Sequence, residues 1–244
     1  MKKIVGISLV IPCYNEDRNI DLLVKKCKFF LQNKKNELLL VNNGSKDKTK
    51  KIILKYSKKF KNIKLVDIKK NIGFGYGVYK GLKKGNNQIL SYTHADLQTN
   101  PIDVLKGIKL INKENILKQN FFIKGYRNNK LKNGWSFFNL FISTGMTIVE
   151  SLLFRKILID IHAQPVIFSK KFFTKIKHFP SDFTFDVWIY FEAKRKNLEI
   201  KRFNVKFDRK GRTFGEGNND TFIKTLKGIL EHLFGSIKML PKSF

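Results

Sequence analysis

The sequence predicts an α/β fold, a mostly parallel central sheet flanked by helices. Three observations predict it. Short β-branched or leucine-rich runs alternate with stretches whose apolar residues recur at helical spacing. Each of the first four runs ends in a polar loop rich in Asn, Asp or Gly, as strands of a covered parallel sheet do. The chain of 244 residues, 42% hydrophobic and 13% aromatic, suffices for a full core and is not the composition of a disordered protein.

The elements follow in order. Ile4 to Ile11 is a β-branched run that ends in the loop CYNED. Ile20, Leu23, Val24, Cys27 and Leu31 then fall on one helical face among basic residues. The short run ELLLV (37 to 41) reads as a buried strand and stops at NNGSKD. Ile52, Ile53 and Tyr56 mark a second helix, and Ile63 to Ile68 a third strand closed by KKNIGFGYG. A helix to about Lys84 leads to Gln88–Thr93, the fourth strand, which runs into HADLQ. In parallel sheets ligands bind beyond the carboxyl ends of the strands, so PCYNE, NNGSKD, NIGFGYG and HADLQ are expected to converge on one edge.

The opening MKKIVGISLVIPC imitates a secretory signal, but it is β-branched, contains Pro12 and has no small-residue cleavage site, so it reads as the first strand. Cys13 and Cys27 have no metal or redox spacing, which fits a reducing compartment. The 49 bases against 19 acids leave a net charge of +30, a surface that attracts phosphates, anionic lipid or nucleic acid. No helix-turn-helix, zinc-finger or RNP pattern appears, so a nucleic-acid partner is not expected. A dinucleotide fold is excluded as well. It needs G-x-G-x-x-G directly after the first strand, whereas Gly73, Gly75 and Gly77 follow the third at another spacing.

Asp96, one residue past a buried run, is where a divalent cation can reach a carboxylate, and magnesium or manganese prefers oxygen ligands shared with phosphate. Gln98 lies two positions on, on the same side if the chain stays extended, with Leu97 turned to the core. The other reading is that Asp96 starts a turn, with Thr99 or Asn100 capping a helix opened by Pro101.

Taken together, IPCYNE, LLLVNNGSKDKT, NIGFGYGVYKGLKKG and THADLQTNP resemble family 2 glycosyltransferases, most of all the dolichyl- and polyprenyl-phosphate sugar transferases. Those typically read IPTYNE, VDDGSxDGT, NxGxGxAxxxGL and DADLQHPP. The likeness covers roughly residues 5 to 106 and continues weakly through KGYR and the region 199 to 217. It implies a nucleotide-diphospho-sugar transferase (GT-A-like) fold, a nucleotide-sugar donor and a Mg or Mn cofactor. By the resemblance Pro12, Tyr14, Glu16 and Asn43 hold base and ribose, Gly73 belongs to the donor loop, and Asp96 with Gln98 completes a metal motif. His94 stands where the motif has its first acid. An imidazole is a poorer magnesium ligand, but it accepts manganese or, protonated, contacts the diphosphate. Asn42-Asn43 likewise replaces an acidic pair.

In the second half, Phe121 to Gly125 is a fifth strand ending near Arg127, which the resemblance places by a donor or acceptor phosphate. The apolar stretch Trp135 to Ile161 is interrupted by Asn139 and Glu150, so a buried or membrane-surface helix is expected rather than a spanning one. Asp160 matches an acceptor-side stretch of the family. Asp182 and Asp186 open a helix, and either carboxylate is a candidate base for an acceptor hydroxyl, although Asp182 is equally a helix cap. An acceptor that is itself a phosphate needs no base. Glu199 to Phe207 alternates like a strand, and Arg209 and Arg212 beyond it compete for a diphosphate contact in a glycine-rich loop.

The expected organisation is one transferase domain over residues 1–220, a nucleotide-sugar and metal half (1–112) and an acceptor half (113–220), then an amphipathic helix over 221–244. That helix either packs on the domain or lies at a membrane interface. The reading is an inverting, metal-assisted transferase that moves a sugar to a polyprenyl phosphate or a lipid-linked or growing glycan. It is expected in the cytoplasm, peripheral to the inner face of an anionic membrane. The alternatives are a non-catalytic nucleotide-sugar or partner-binding module on this fold, and a basic nucleic-acid-binding protein.

Overall fold

The computed structural model describes residues 5–111, 119–208 and 222–240, the side chains of 222–225 excepted. Seven strands form one sheet in the order β3-β2-β1-β4-β6-β5-β7. They are β1 (Ile7–Cys13), β2 (Glu37–Asn43), β3 (Ile63–Ile68), β4 (Ile89–Tyr92), β5 (Phe122–Arg127), β6 (Val166–Ser169) and β7 (Ile200–Val205). β1 and β2 are buried along their whole length and are mostly apolar, and the buried Ser8 Oγ donates to Glu37 Oε1 across the pair (2.6 Å). β3, an edge strand, is partly exposed.

The sheet is mixed. β6 runs antiparallel to both β4 and β5, while every other pairing is parallel. The six other strands therefore present their carboxyl ends at one edge, where β6 begins. The two sequence halves share this one sheet through the β4–β6 pairing.

Helices cover both faces. α1 (Ile20–Lys26), α2 (Lys28–Gln32), α3 (Thr49–Lys59) and α5 (Val104–Ile108) lie on one face, over Leu9, Ile11, Leu38 and Leu40. The single helix read over Ile20 to Leu31 is split in two at Cys27, yet helical bonds run through it, from Cys27 N to Leu23 O and from Leu31 N to Cys27 O. On the other face, α4 (Phe74–Lys84), α7 (Lys170–Phe173) and α8 (Phe185–Arg195) pack over Val10, Leu39, Val41 and Tyr92. Gly81 lets α4 press onto the sheet. A Cβ there would stand 2.3 Å from Val10 Cγ1.

Two further helices, α6 (Phe137–Leu153) and α9 (Phe222–Met239), pack against each other outside this layer. Glu150 is the one fully buried residue of α6, and its carboxylate accepts a hydrogen bond from Ser236 Oγ of α9 (2.8 Å). Among the described residues, no helix is long and apolar enough to cross a membrane.

Candidate active site

The loops after β1 and β2 are joined by hydrogen bonds. Asn15 N donates to Ser45 Oγ, Lys46 N to Asn15 Oδ1, Glu16 N to Thr49 Oγ1 and Asp17 N to Asp47 Oδ2, all at 2.8 to 3.1 Å. Pro12 sits at the buried end of β1, opposite Val41, where pairing with β4 has already stopped at Val10 and no backbone donor is required. Tyr14 projects beyond it, 43% exposed, and Glu16 caps the start of α1 through its carbonyl. These three residues thus line one lip of the edge.

Asn43 is buried and donates from Nδ2 to Gly73 O (3.1 Å), while its Oδ1 is enclosed with no hydrogen-bond partner among the described residues. Gly73 itself is not an open cradle. With φ +132°, it faces Ser181, whose carbonyl oxygen would stand 2.3 Å from a Cβ at this position. Tyr76 N donates to the same carbonyl (2.9 Å). The glycines after β3 therefore admit the backbone that leads into α8, so the donor loop and the acceptor-side helix are packed as one piece.

The segment after β4 does not stay extended. Leu97 has φ +62° and is buried, and Gln98 N donates to Asp96 Oδ1 (3.1 Å). Asp96 thus starts a turn, and it stands, half-buried, at the strand-end edge. Asn100 caps the short 3-10 turn Pro101–Asp103, accepting from Ile102 N. His94 packs its ring on Phe74 (4.9 Å between centroids), which stacks on Phe183 (5.0 Å). Gln98 O accepts from Asp208 N (2.9 Å), and Thr99 bridges to Phe207. The segment after β7 is thereby tied beside the Asp96 turn. Arg209 and Arg212 lie outside the described residues.

Arg127 ends β5 as expected, but its side chain is engaged by a carboxylate. Its backbone N, Nε and Nη2 all bond to Asp160, and its guanidinium lies against the rings of Trp135 (5.0 Å) and Phe207 (5.5 Å), which also touch each other. A buried, doubly engaged guanidinium is committed to its carboxylate rather than offered to a phosphate. Lys130 adds a second cation 3.2 Å from Asp160. Burial alone would raise the Asp160 carboxyl, but the charge and hydrogen bonds of Arg127, with Lys130, hold it at about 2.

The two candidate bases also separate. Asp182 is exposed and accepts from Thr184 N (2.8 Å), a capping contact at the start of α8. Asp186 is buried, and its carboxylate accepts from Tyr92 Oη (2.7 Å) and Gln164 Nε2 (3.2 Å), with His162 Nδ1 at 3.3 Å. Burial opposes its charge, yet the bond from His162 and the charges of His162, Lys124 and His94 hold the carboxyl well below its usual range. Such a group is a fixed negative charge with its oxygens occupied, a poor general base. The sequence gives no sign of this network, because its members come from β4, α8 and the approach to β6.

Lys124 is also buried, donating from Nζ to Ala163 O (2.7 Å). Desolvation lowers its pKa to about 7, the Asp186 charge pulling the other way. His162 contacts the ring of His232 edge-on (4.9 Å), and His232 Nε2 lies 3.1 Å from Glu150 Oε1. Contiguous polar contacts thus run from Asp186 to the seam between α6 and α9.

This fold is the GT-A glycosyltransferase fold of glucosyl-3-phosphoglycerate synthase from Mycobacterium tuberculosis. The structure of that protein in complex with uridine diphosphate aligns with a TM-score of 0.70 at 13% identity, covering 98% of this chain and 82% of that one. The family model for glycosyl transferase family 2 matches residues 8–177, and the chain belongs to that family. Among curated relatives, a dolichyl-phosphate beta-glucosyltransferase of Trichomonas vaginalis is 31% identical over 38% of this chain and 31% of its own length. A dolichol-phosphate mannosyltransferase of Pyrococcus furiosus is 30% identical over 62% of this chain and 42% of its own. An undecaprenyl-phosphate 4-deoxy-4-formamido-L-arabinose transferase of Photorhabdus laumondii is 30% identical over 44% and 34%. The alignments span less than half the length of each of these relatives.

Proposed function

We propose that the chain transfers a sugar, with inversion, from a nucleoside diphosphate to a polyprenyl phosphate at a membrane surface. The observation that carries this is the convergence of the Asp96 turn, the joined β1 and β2 loops and the start of α8 on one edge of the sheet. Three relatives named for transfer to dolichyl, dolichol or undecaprenyl phosphate support the acceptor class.

Tyr14, Glu16 and Asn43 line the place for the nucleoside. Solved neighbours hold uridine diphosphate with Mn2+ or Mg2+. Among the described residues here, no three His, Cys, Asp or Glu side chains gather as a closed metal cage. A lone carboxylate at the turn, with the Gln98 amide two residues on, suits instead a cation that is shared with diphosphate oxygens. Asp96 and Gln98 are the residues that would hold it, and the ion would supply charge neutralisation for the departing nucleoside diphosphate.

The acceptor phosphate oxygen forms the new bond to the anomeric carbon as the bond to the donor's diphosphate breaks. That oxygen is already anionic, so no base is required, which suits an Asp186 whose oxygens are all engaged. Asp186 instead orients Tyr92, Gln164 and His162 beneath the acceptor side. The protein works at the inner face of the membrane in this reading.

The test is to incubate the protein with UDP- and GDP-sugars, manganese and a short polyprenyl phosphate, and to look for the glycosylated lipid by mass spectrometry. A sugar-phospholipid that is absent with Asp96→Asn supports the proposal. Hydrolysis of donor without lipid product, or no turnover with any donor, removes it.

A further inference from the structure

α6 presents its apolar side outward. Glu150 is its single buried residue, whereas Phe137 (79% exposed), Phe141 (75%), Ile148 and Leu152 (72%) form a solvent-facing stripe at helical spacing. A helix that packs on a core does the reverse. α9 carries a matching stripe of Leu226, Leu230, Phe234 and Ile237, all exposed, while His232, Gly235, Ser236 and Met239 face inward. Exposed apolar surface of this extent on adjoining helices marks an interaction site.

We propose that α6 and α9 form one lipid-docking platform, seated at the headgroup–acyl boundary of an anionic bilayer. The proposal rests on the transferase reading for its purpose, and on the two stripes and their charged surroundings for its occupant. Lys132 precedes α6, Arg155 and Lys156 follow it, and Lys227 and Lys238 lie exposed on α9, whose one acid is Glu231. Apolar stripes bordered by bases complement acyl chains beneath anionic headgroups. The same bases argue against a second copy of this chain, because pairing two such faces brings like charges together on molecules that each carry +30.

The platform is welded to the site side of the molecule. Ser236 Oγ bonds Glu150, and Gly235 packs so closely on Thr184 that a Cβ would stand 2.0 Å from Thr184 Oγ1 and 3.2 Å from Asp182 Oδ2. The start of α8 therefore lies directly beneath α9. A bilayer that receives both stripes lies next to the acceptor side, where a lipid-linked phosphate has to arrive. α6, seventeen residues and about 26 Å long, lies along the interface and does not cross it.

The experiment is co-sedimentation of the full chain with vesicles of phosphatidylcholine, with and without phosphatidylglycerol. Three variants are compared with the wild type: Phe137→Glu/Phe141→Glu/Ile148→Glu on α6, Leu230→Glu/Phe234→Glu on α9, and Phe29→Glu on the opposite face of the sheet. The altered side chains are exposed, and circular dichroism checks that each variant folds. Binding only to phosphatidylglycerol vesicles, weakened by salt, reduced at least about tenfold in each platform variant and unchanged in Phe29→Glu, is expected.

Equal binding by the platform variants overturns the assignment. So does a concentration-dependent dimer that the same variants abolish, which would make the face a self-interface. Stabilisation by nucleotides, measured in parallel, separates the two claims. Vesicle binding without it removes the transferase reading alone, and its presence without vesicle binding removes the platform alone.

Discussion

Asp160→Asn is expected to destabilise the protein strongly, because Arg127 and Asp160 close the neck of the excursion that carries α6. The two residues are 33 positions apart, and everything between them, the helix included, leaves and returns through this contact. Asp160 has φ +45°, a backbone state that Asn tolerates well, so the substitution changes the charge and not the turn. Held at about 2 in the fold against an ordinary 3.8, the carboxyl contributes roughly 2.5 kcal/mol of stability at neutral pH.

Removing its charge also leaves the buried Arg127 facing an amide, and breaking a buried pair from one side costs about 3–5 kcal/mol. Asp160→Asn should therefore lose about 3 kcal/mol or more in urea unfolding at pH 7. The double variant Arg127→Met/Asp160→Leu should recover much of that loss, since no charge is then left unpaired. The sign with pH follows from the depressed carboxyl. The Asp160 contribution is complete above about pH 4 and disappears as the pH falls through about 2, so the gap between wild type and Asp160→Asn should close in acid. A loss below 1 kcal/mol at pH 7, or a gap that stays open at pH 2, would refute the clamp.

Three further outcomes follow from the same geometry. Lys124, held near 7, releases its proton in the fold while the unfolded chain keeps its own to about 10.5, so stability rises with pH in that window by up to about 1.4 kcal/mol per pH unit. Unfolding free energies at pH 7 and 9 should show that rise in the wild type and a smaller one in Lys124→Met. Gly73→Ala should cost about 1–3 kcal/mol, because φ +132° and the Ser181 carbonyl both oppose a side chain, and urea unfolding measures it. Ser236→Ala leaves the buried Glu150 without its 2.8 Å hydroxyl donor and should destabilise by about 1–3 kcal/mol, with faster protease cutting between α6 and β6 as the second readout.

β1, β2 and β4 were legible with their loops because a strand buried on both faces is mostly apolar, and the polar residues that end it mark the functional edge, whereas β3, half-exposed at the sheet edge, was legible from Ile63, Leu65, Val66 and Ile68. Expecting one helix across Ile20 to Leu31 missed only the break at Cys27, where helical bonding carries on through altered dihedrals. The turn at Leu97 was less legible. An extended HADLQ and a turning one have the same letters, and φ +62° at a leucine is fixed by its burial and by the Asp96–Gln98 contact.

The Arg127–Asp160 clamp and the Asp186 network join residues far apart in sequence, and no periodic pattern records such a pair. Glu150 reads in the sequence as an interruption of an apolar run. In the fold it is the buried point of attachment, and the apolar residues around it face outward. Hydrophobicity shows that a helix has an apolar side, but only the packing shows which side is covered.

In the proposed function the strand-end loops hold a nucleoside diphosphate with Asp96 at its charged end. Its most direct test is the melting temperature against a panel of nucleoside diphosphates, with and without manganese, in wild type and Asp96→Ala. A ligand that binds only the folded state must raise that temperature. A manganese-dependent rise with one nucleotide, lost in Asp96→Ala, is expected. A melting temperature unmoved by every nucleotide, or a rise that Asp96→Ala retains in full, would contradict it.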